Sequence, residues 1–213
     1  MKGFHMNRFI FWFVPLILFL FSCCSSSSQP HDETYNYAPS TNKPAPSPSI
    51  HFSPSYTLFS SEDESVGERK RISARIGSSA STFEDRAHVL MNAARDLQRS
   101  TGANVVEVFL ELSPLLSGKG YSLGVARFAP DGKGFSGYEQ WKWEVQATDI
   151  QISQQEIAIA ELWWQNRDSF QTRNGTTDEQ RLSKFIANKL HISPSQVHLP
   201  LTLINWRDYP VAQ

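Results

Sequence analysis

The sequence predicts an α+β domain: a mixed, mostly antiparallel sheet with helices packed on one face, preceded by a disordered tether. Three observations predict it. Several segments alternate apolar and polar residues at every second position, which is typical of half-buried strands. Other segments space their apolar residues as a helix does and begin with capping signals. Proline and serine crowd the stretch that precedes all of them.

The domain is expected to begin with strands. Residues Tyr56–Phe59 are predicted to form a short strand, and the acidic segment 62–64 is predicted to be a solvated loop. In RISARI (71–76), isoleucine and alanine alternate with arginine and serine. This period of two indicates a half-buried strand.

A strong helix pattern follows. Ser81 and Glu84 fit a capping box, and Gly102 supplies a C-terminal stop. His88 lies beside the apolar face, so it is interpreted as a surface or boundary residue and not as a base. The apolar face itself consists of Phe83, Ala87, Leu90, Met91, Ala94 and Leu97.

Three further strands are predicted after this helix. Val105–Leu112 has the clearest alternation in the chain, and a strand–helix–strand unit favours a right-handed crossover with parallel strands. Tyr121–Ala129 and Trp141–Ala147 flank a glycine-rich turn at 130–137, which predicts an antiparallel hairpin. Within the last strand, Trp141 and Trp143 are expected to share the core face.

The C-terminal third is predicted to be mostly helical. Ser153 and Glu156 form a second capping box, and Thr177 is expected to cap a third helix that ends before Pro194. Residues His198–Ile204 are predicted to add an edge strand. Residues 56–213 are enough to bury one core, so a single domain is expected.

The first 22 residues have the organisation of an export signal. Lys2 and Arg8 precede the apolar run FIFWFVPLILFLF (9–21). As a helix this run would span only ~20 Å, whereas a bilayer core needs about 20 residues. The pattern therefore predicts a signal peptide and not a transmembrane helix.

The end of this leader resembles the signal of bacterial lipoproteins. Leu20 lies three residues before Cys23, and the small Ser22 lies immediately before it. The resemblance implies cleavage after Ser22 and attachment of lipid, including an acyl chain such as palmitate, to Cys23. Cys24 is not Asp, which implies sorting to the outer membrane, facing the periplasm. The alternative is ordinary cleavage near Ser22 and release.

Residues 23–55 are predicted to be a disordered tether between the lipid and the domain. Six of the twelve prolines lie in residues 25–55, and apolar residues there are few and aperiodic. An extended polyproline-like chain of this length reaches roughly 90–100 Å. Such a tether would let the domain work well away from the membrane.

Composition excludes several classes of protein. The only cysteines are the adjacent Cys23 and Cys24, so the domain has neither a disulfide framework nor a cysteine-rich metal site. Removal of the leader takes away two of the 20 basic residues and none of the 21 acidic ones, which leaves a formal charge of −3. A nucleic-acid binder would show a basic excess, so no nucleic-acid partner is expected.

Several motifs match functional patterns by letter alone. The segment 132–137 reads G-x-G-x-x-G, but a dinucleotide site needs a helix to begin there, and a strand is predicted instead. His191 and His198 have no evident third metal ligand. We therefore predict no cofactor, no metal and no catalytic residue.

Tryptophans and pairs of acidic residues support two less favoured functions, sugar binding and glycoside hydrolysis. An exposed Trp141 or Trp143 could stack on sugar rings, and one of the adjacent Trp163 and Trp164 is expected to be partly exposed. The pairs 84/85 and 107/111 could act as carboxylates in glycoside hydrolysis, but nothing distinguishes them from solvated charges.

The leading hypothesis is a non-enzymatic, lipid-anchored envelope protein whose domain binds a protein partner, as part of an envelope or secretion assembly. A glycan- or peptidoglycan-binding module is the first alternative, and a cell-envelope hydrolase is the second. The run from RISARI (71–76) to ARFAPDGKGFSG (126–137) resembles uncharacterised bacterial envelope domains, a likeness that carries no named function.

Overall fold

A computed structural model of the chain describes residues 55–213. These residues lie within one compact unit, Ser49–Gln213. The leader, the acceptor Cys23 and the tether up to residue 54 lie outside the described residues. Within residues 55–213, no helix has the length and hydrophobicity needed to cross a membrane.

The described chain alternates strands and helices. In order, the elements are β1 (Tyr56–Asp63), β2 (Arg71–Ser78), α1 (Phe83–Thr101), β3 (Val105–Glu111), β4 (Ser122–Phe128), β5 (Trp143–Ala147), α2 (Gln154–Asn166), α3 (Glu179–Leu190) and β6 (Arg207–Asp208). Short 3₁₀ helices lie at Pro114–Leu116, Arg167–Phe170 and Pro194–Gln196.

The structure confirms the predicted fold class. The six strands form one mixed sheet in the order β1-β2-β3-β4-β5-β6, and three α-helices pack against it. Strands β2 and β3 run parallel through the crossover helix α1, as predicted. Every other neighbouring pair is antiparallel, including the predicted β4–β5 hairpin.

The main core lies between α1 and one face of the sheet. Ile76, Val108 and Ala126 come from neighbouring strands and are fully buried beneath α1 with Leu90. Gly124 permits the close approach of the helix, because a Cβ there would lie 2.8 Å from Leu90 Cδ1. The period-two alternation therefore identified the buried face of the sheet correctly.

The cap of α1 lies one residue later than predicted. Thr82, not Ser81, is the N-cap, and its hydroxyl accepts from the backbone N–H of Asp85. The Ser81 carbonyl instead accepts from the side chain of Gln151 at 2.7 Å. At the other end, Gly102 adopts φ +67° and ends the helix, as predicted.

For the two later helices, one predicted N-cap is confirmed and the other is wrong. The capping box of Ser153 and Glu156 is present with both of its hydrogen bonds. The predicted cap Thr177 is wrong, because Asp178 caps α3 by accepting from the Arg181 N–H. Thr177, the residue before this cap, instead forms a β-bridge with Gln171.

Two predictions at the sheet edges are wrong. The acidic segment predicted as a loop contributes Glu62 and Asp63 to β1, where they pair with β2. His198–Ile204 forms no strand, since Pro200 has no N–H to donate and the chain bends at 203–205. The edge strand is the short β6, which pairs with β5.

Candidate functional site

The sheet face opposite α1, here called the open face, carries a row of charges. Glu107, Arg127 and Glu144 lie directly opposite one another on β3, β4 and β5. Arg127 donates from Nε to Glu107 at 2.5 Å and from Nη1 to Glu144 at 3.3 Å. Burial lowers the pKa of Arg127, but its hydrogen bonds to the two glutamates outweigh burial and raise that pKa overall.

A cleft of about 440 Å³ lies over this row. We call it the open-face cleft. Charged side chains form its floor, and the loop between β4 and β5 contributes two aromatic rings. Its lining residues are Glu107, Arg127, Phe135, Glu139, Trp141 and Glu144.

Arg69 fixes the glycine-rich loop that forms one wall of the cleft. Its guanidinium donates to the Asp131 carboxylate at 2.8 and 3.2 Å. It also donates to the carbonyls of Gly134 and Phe135. The hydrogen bond from Arg69 lowers the pKa of Asp131. The G-x-G-x-x-G segment is therefore a clamped hairpin loop, and β5 follows it where a dinucleotide site would need a helix.

The structure separates the two tryptophans that were predicted to share a core face. Trp143 is 5% exposed and stacks on Phe128 with ring centroids 4.1 Å apart, as the core prediction requires. Trp141 precedes β5 and is half-buried in the open-face cleft, so its prediction is wrong. A Cβ on residue 134 would lie 2.8 Å from Trp141 Cε2, so the missing side chain of Gly134 leaves room for this ring.

Glu107 and Glu111 do not form a carboxylate pair. Four residues apart on one strand, their backbones lie about 13 Å apart, and their carboxylates bond different arginines, Arg127 and Arg75. The buried Glu111 accepts from Arg75 at 2.5 Å and from the Gly118 N–H at 3.3 Å. In the described part of the chain, Oε2 of Glu111 has no hydrogen-bond partner.

Histidines singled out in the sequence occupy separate places. Nε2 of His88 lies 2.8 Å from the hydroxyl of Tyr209, and its side chain is partly buried, which fits the predicted boundary position. His191 and His198 are exposed. Residues 55–213 contain no group of three histidine, cysteine or acidic side chains arranged to hold a metal ion.

The adjacent tryptophans of α2 are both half-buried. Trp163 packs in a cluster with Ile159 and Leu182. Two cations lie near the ring of Trp164, with Arg167 at 4.6 Å and Lys119 at 5.4 Å from its centroid. Partial exposure was expected of one of these two rings, and the structure leaves both partly exposed.

A second surface lies after the last helix. Leu201, Leu203 and Ile204, here called the leucine ridge, are 70%, 68% and 43% exposed. The segment is nevertheless fixed. Thr202 is buried and donates to the Gly120 carbonyl at 3.2 Å, and the hydroxyl of Thr148 donates to the Ile204 carbonyl at 3.0 Å.

Sequence reasoning missed most of the cleft and all of the ridge. Alternation placed Glu144 on the polar face of its strand, but only the strand register brings it to Arg127. Phe135 and Glu139 lie in a loop without periodicity. Leu201 and Leu203 alternate with Thr202, so the same pattern that suggested a strand could also have suggested an exposed apolar segment.

Comparisons with known proteins identify the family to which this domain belongs. A family model described as a domain of unknown function, DUF4875, matches residues 53–202. No curated protein matches the chain. A crystal structure of a DUF487 family protein from Desulfovibrio piger ATCC 29098 is similar, with 30% identity and a TM-score of 0.59 over 74% of this chain and 95% of that chain. With the family model matching most of its length, this chain belongs to the DUF4875 family.

Proposed function

We propose that the protein is a lipid-anchored component of the bacterial envelope whose domain binds a protein partner and catalyses no reaction. Cys23 carries the lipid, residues 23–55 form the tether, and the domain faces the periplasm from the outer membrane. The leucine ridge is the partner-binding surface. The exposure of its three apolar side chains is the observation that carries the proposal.

The ridge has the physical properties of a binding surface. Single exposed apolar residues are common on soluble proteins, but here three lie within four residues. Burying a leucine or isoleucine side chain contributes about 1.5–3 kcal/mol. A partner that covers the ridge would recover that free energy.

The rigidity of the ridge supports the same role. Trp206 Nε1 donates to the Thr202 carbonyl at 2.8 Å, which adds to the bonds made by Thr202 and Thr148. A segment that is ordered before binding loses little conformational entropy when the partner arrives. The partner we expect is an envelope protein with an apolar contact surface.

The test is the size of the native complex. The double variant Leu201→Asp and Leu203→Asp should release the protein from its assembly in solubilised envelopes, as measured by native electrophoresis. Both side chains are exposed, so the fold should persist, which circular dichroism checks. Tyr138→Asp, at a residue that is 94% exposed, is the matched control. A complex of unchanged size in the double variant would refute the ridge as the interface.

A further inference from the structure

We infer that the open-face cleft is a binding site for a neutral saccharide, with the ring of Trp141 as the stacking surface. The inference goes beyond the proposed partner binding and uses different residues, so either can fail alone. Its starting point is the separation of Trp141 from the core that Trp143 occupies.

The cleft combines ring faces with hydrogen-bonding groups. Trp141 and Phe135 line one part of it, and Glu107, Arg127 and Glu144 line the floor. A sugar ring has an apolar face that stacks on an aromatic ring, while its hydroxyls both donate and accept. Carboxylate oxygens accept such bonds and a guanidinium donates them. The cleft volume of about 440 Å³ lies within the range of small-molecule sites, ~300–1,000 Å³.

The charges of the cleft disfavour an anionic ligand. Arg127 donates hydrogen bonds to both floor glutamates, but its single positive charge offsets only one of their two negative charges. The third lining carboxylate, Glu139, accepts from the Ser136 N–H at 3.1 Å. The lining therefore sets one guanidinium against three carboxylates, which disfavours an acidic sugar, and a basic peptide used as a probe distinguishes a neutral saccharide from a cation.

The cleft is organised before any ligand binds. Arg69 holds the loop through Asp131 and two carbonyls, and Gly134 fits beneath Trp141. The guanidinium of Arg71 lies 4.8 Å from the Phe135 ring centroid and supports that ring. Rigid placement of stacking and polar groups lowers the entropic cost of binding.

The experiment is calorimetric titration of the full-length protein in a detergent without a sugar headgroup. The probes are chitotriose, cellotriose and maltotriose, each up to millimolar concentration. We expect at least one to bind, Trp141→Ala to weaken it by about tenfold or more, and Trp141→Phe to restore part of the affinity. Tyr138→Ala changes an aromatic residue of the same loop outside the cleft and should leave affinity unchanged.

Three results would overturn the inference. The first is the absence of binding for all three sugars, and the second is sugar binding that Trp141→Ala leaves unchanged. The third is binding of a hexa-arginine peptide, with no sugar bound, that Trp141→Ala abolishes, because the cleft would then receive basic side chains of a protein. Thermal melting of each variant separates these results from unfolding. Release from the native complex by the ridge variants is a separate readout.

Discussion

The buried guanidinium of Arg86 donates a hydrogen bond to the carbonyl oxygen of Thr148, which joins α1 to the chain just beyond β5. The same side chain donates to the carbonyls of Ala80 and Ile150 at 3.2 and 2.9 Å. Burial lowers the pKa of Arg86, and the charge of Asp149 partly offsets this. Arg86 therefore holds the crossover helix against the sheet through backbone groups.

Replacement of this arginine should destabilise the domain. Arg86→Met keeps much of the side-chain volume but leaves three carbonyls without their donor, at a cost of about 3 kcal/mol. Arg99→Met, at an exposed residue of the same helix whose ion pair is with Asp96, should cost less than about 1 kcal/mol. Urea unfolding followed by circular dichroism measures both. Equal stability of the two variants would contradict the role of Arg86.

Gly134→Ala should disturb the cleft more than Gly132→Ala. Both glycines have positive φ, +59° and +70°, so each alanine costs roughly 1–2 kcal/mol of backbone strain. A Cβ at Gly134 would also lie 2.5 Å from Glu139 Cβ and 2.8 Å from Trp141, whereas Gly132 has open space. We expect Gly134→Ala to lose more stability in urea unfolding and to shift tryptophan fluorescence. Indistinguishable variants would refute the packing of Trp141 on the loop.

The contribution of Asp131 to stability should depend on pH. Arg69 lowers the pKa of Asp131 in the folded domain, so the ion pair stabilises the fold above the ordinary aspartate pKa of about 3.9. That stabilisation is lost as the pH falls through the lowered pKa. Asp131→Asn should therefore cost about 1 kcal/mol or less at neutral pH, and the difference from wild type should shrink below about pH 4. A difference that stays constant in acid would show that the charge of Asp131 does not contribute.

Cys23→Ala should abolish lipid attachment. Without the acceptor thiol, the precursor should accumulate at its full length and incorporate no labelled palmitate in cells. Cys24→Ala is the control and should be processed normally. Labelling that persists in Cys23→Ala and disappears in Cys24→Ala would move the acceptor by one residue.

The sequence predicted the parts of the fold that depend on local periodicity. Alternation in β2 and β3 identified the buried face because every second side chain packs under α1. The N-cap of α1 was predicted one residue too early, because Ser81 and Thr82 are adjacent hydroxyl residues. The Gln151 side chain, distant in sequence, bonds the carbonyl of Ser81.

The candidate sites needed information that local patterns do not contain. Glu107, Arg127 and Glu144 meet only through the registers of two strand pairs. In the sequence, Trp141 continues the apolar–polar alternation of β5. In the structure, Arg69 and Gly134 fix the preceding loop so that the strand begins at Trp143. The polar, two-residue β6 is too short to show periodicity.

Site-specific photo-crosslinking in living cells tests partner binding most directly. A photoreactive benzoylphenylalanine is placed at Leu203, in the leucine ridge, or at Tyr138 as the exposed control. The captured protein is identified by mass spectrometry of purified envelopes. We predict a discrete adduct with one envelope protein from position 203, lost when Leu201→Asp is added, and no such adduct from position 138. The same adducts from both positions, or none from position 203, would contradict partner binding through the ridge.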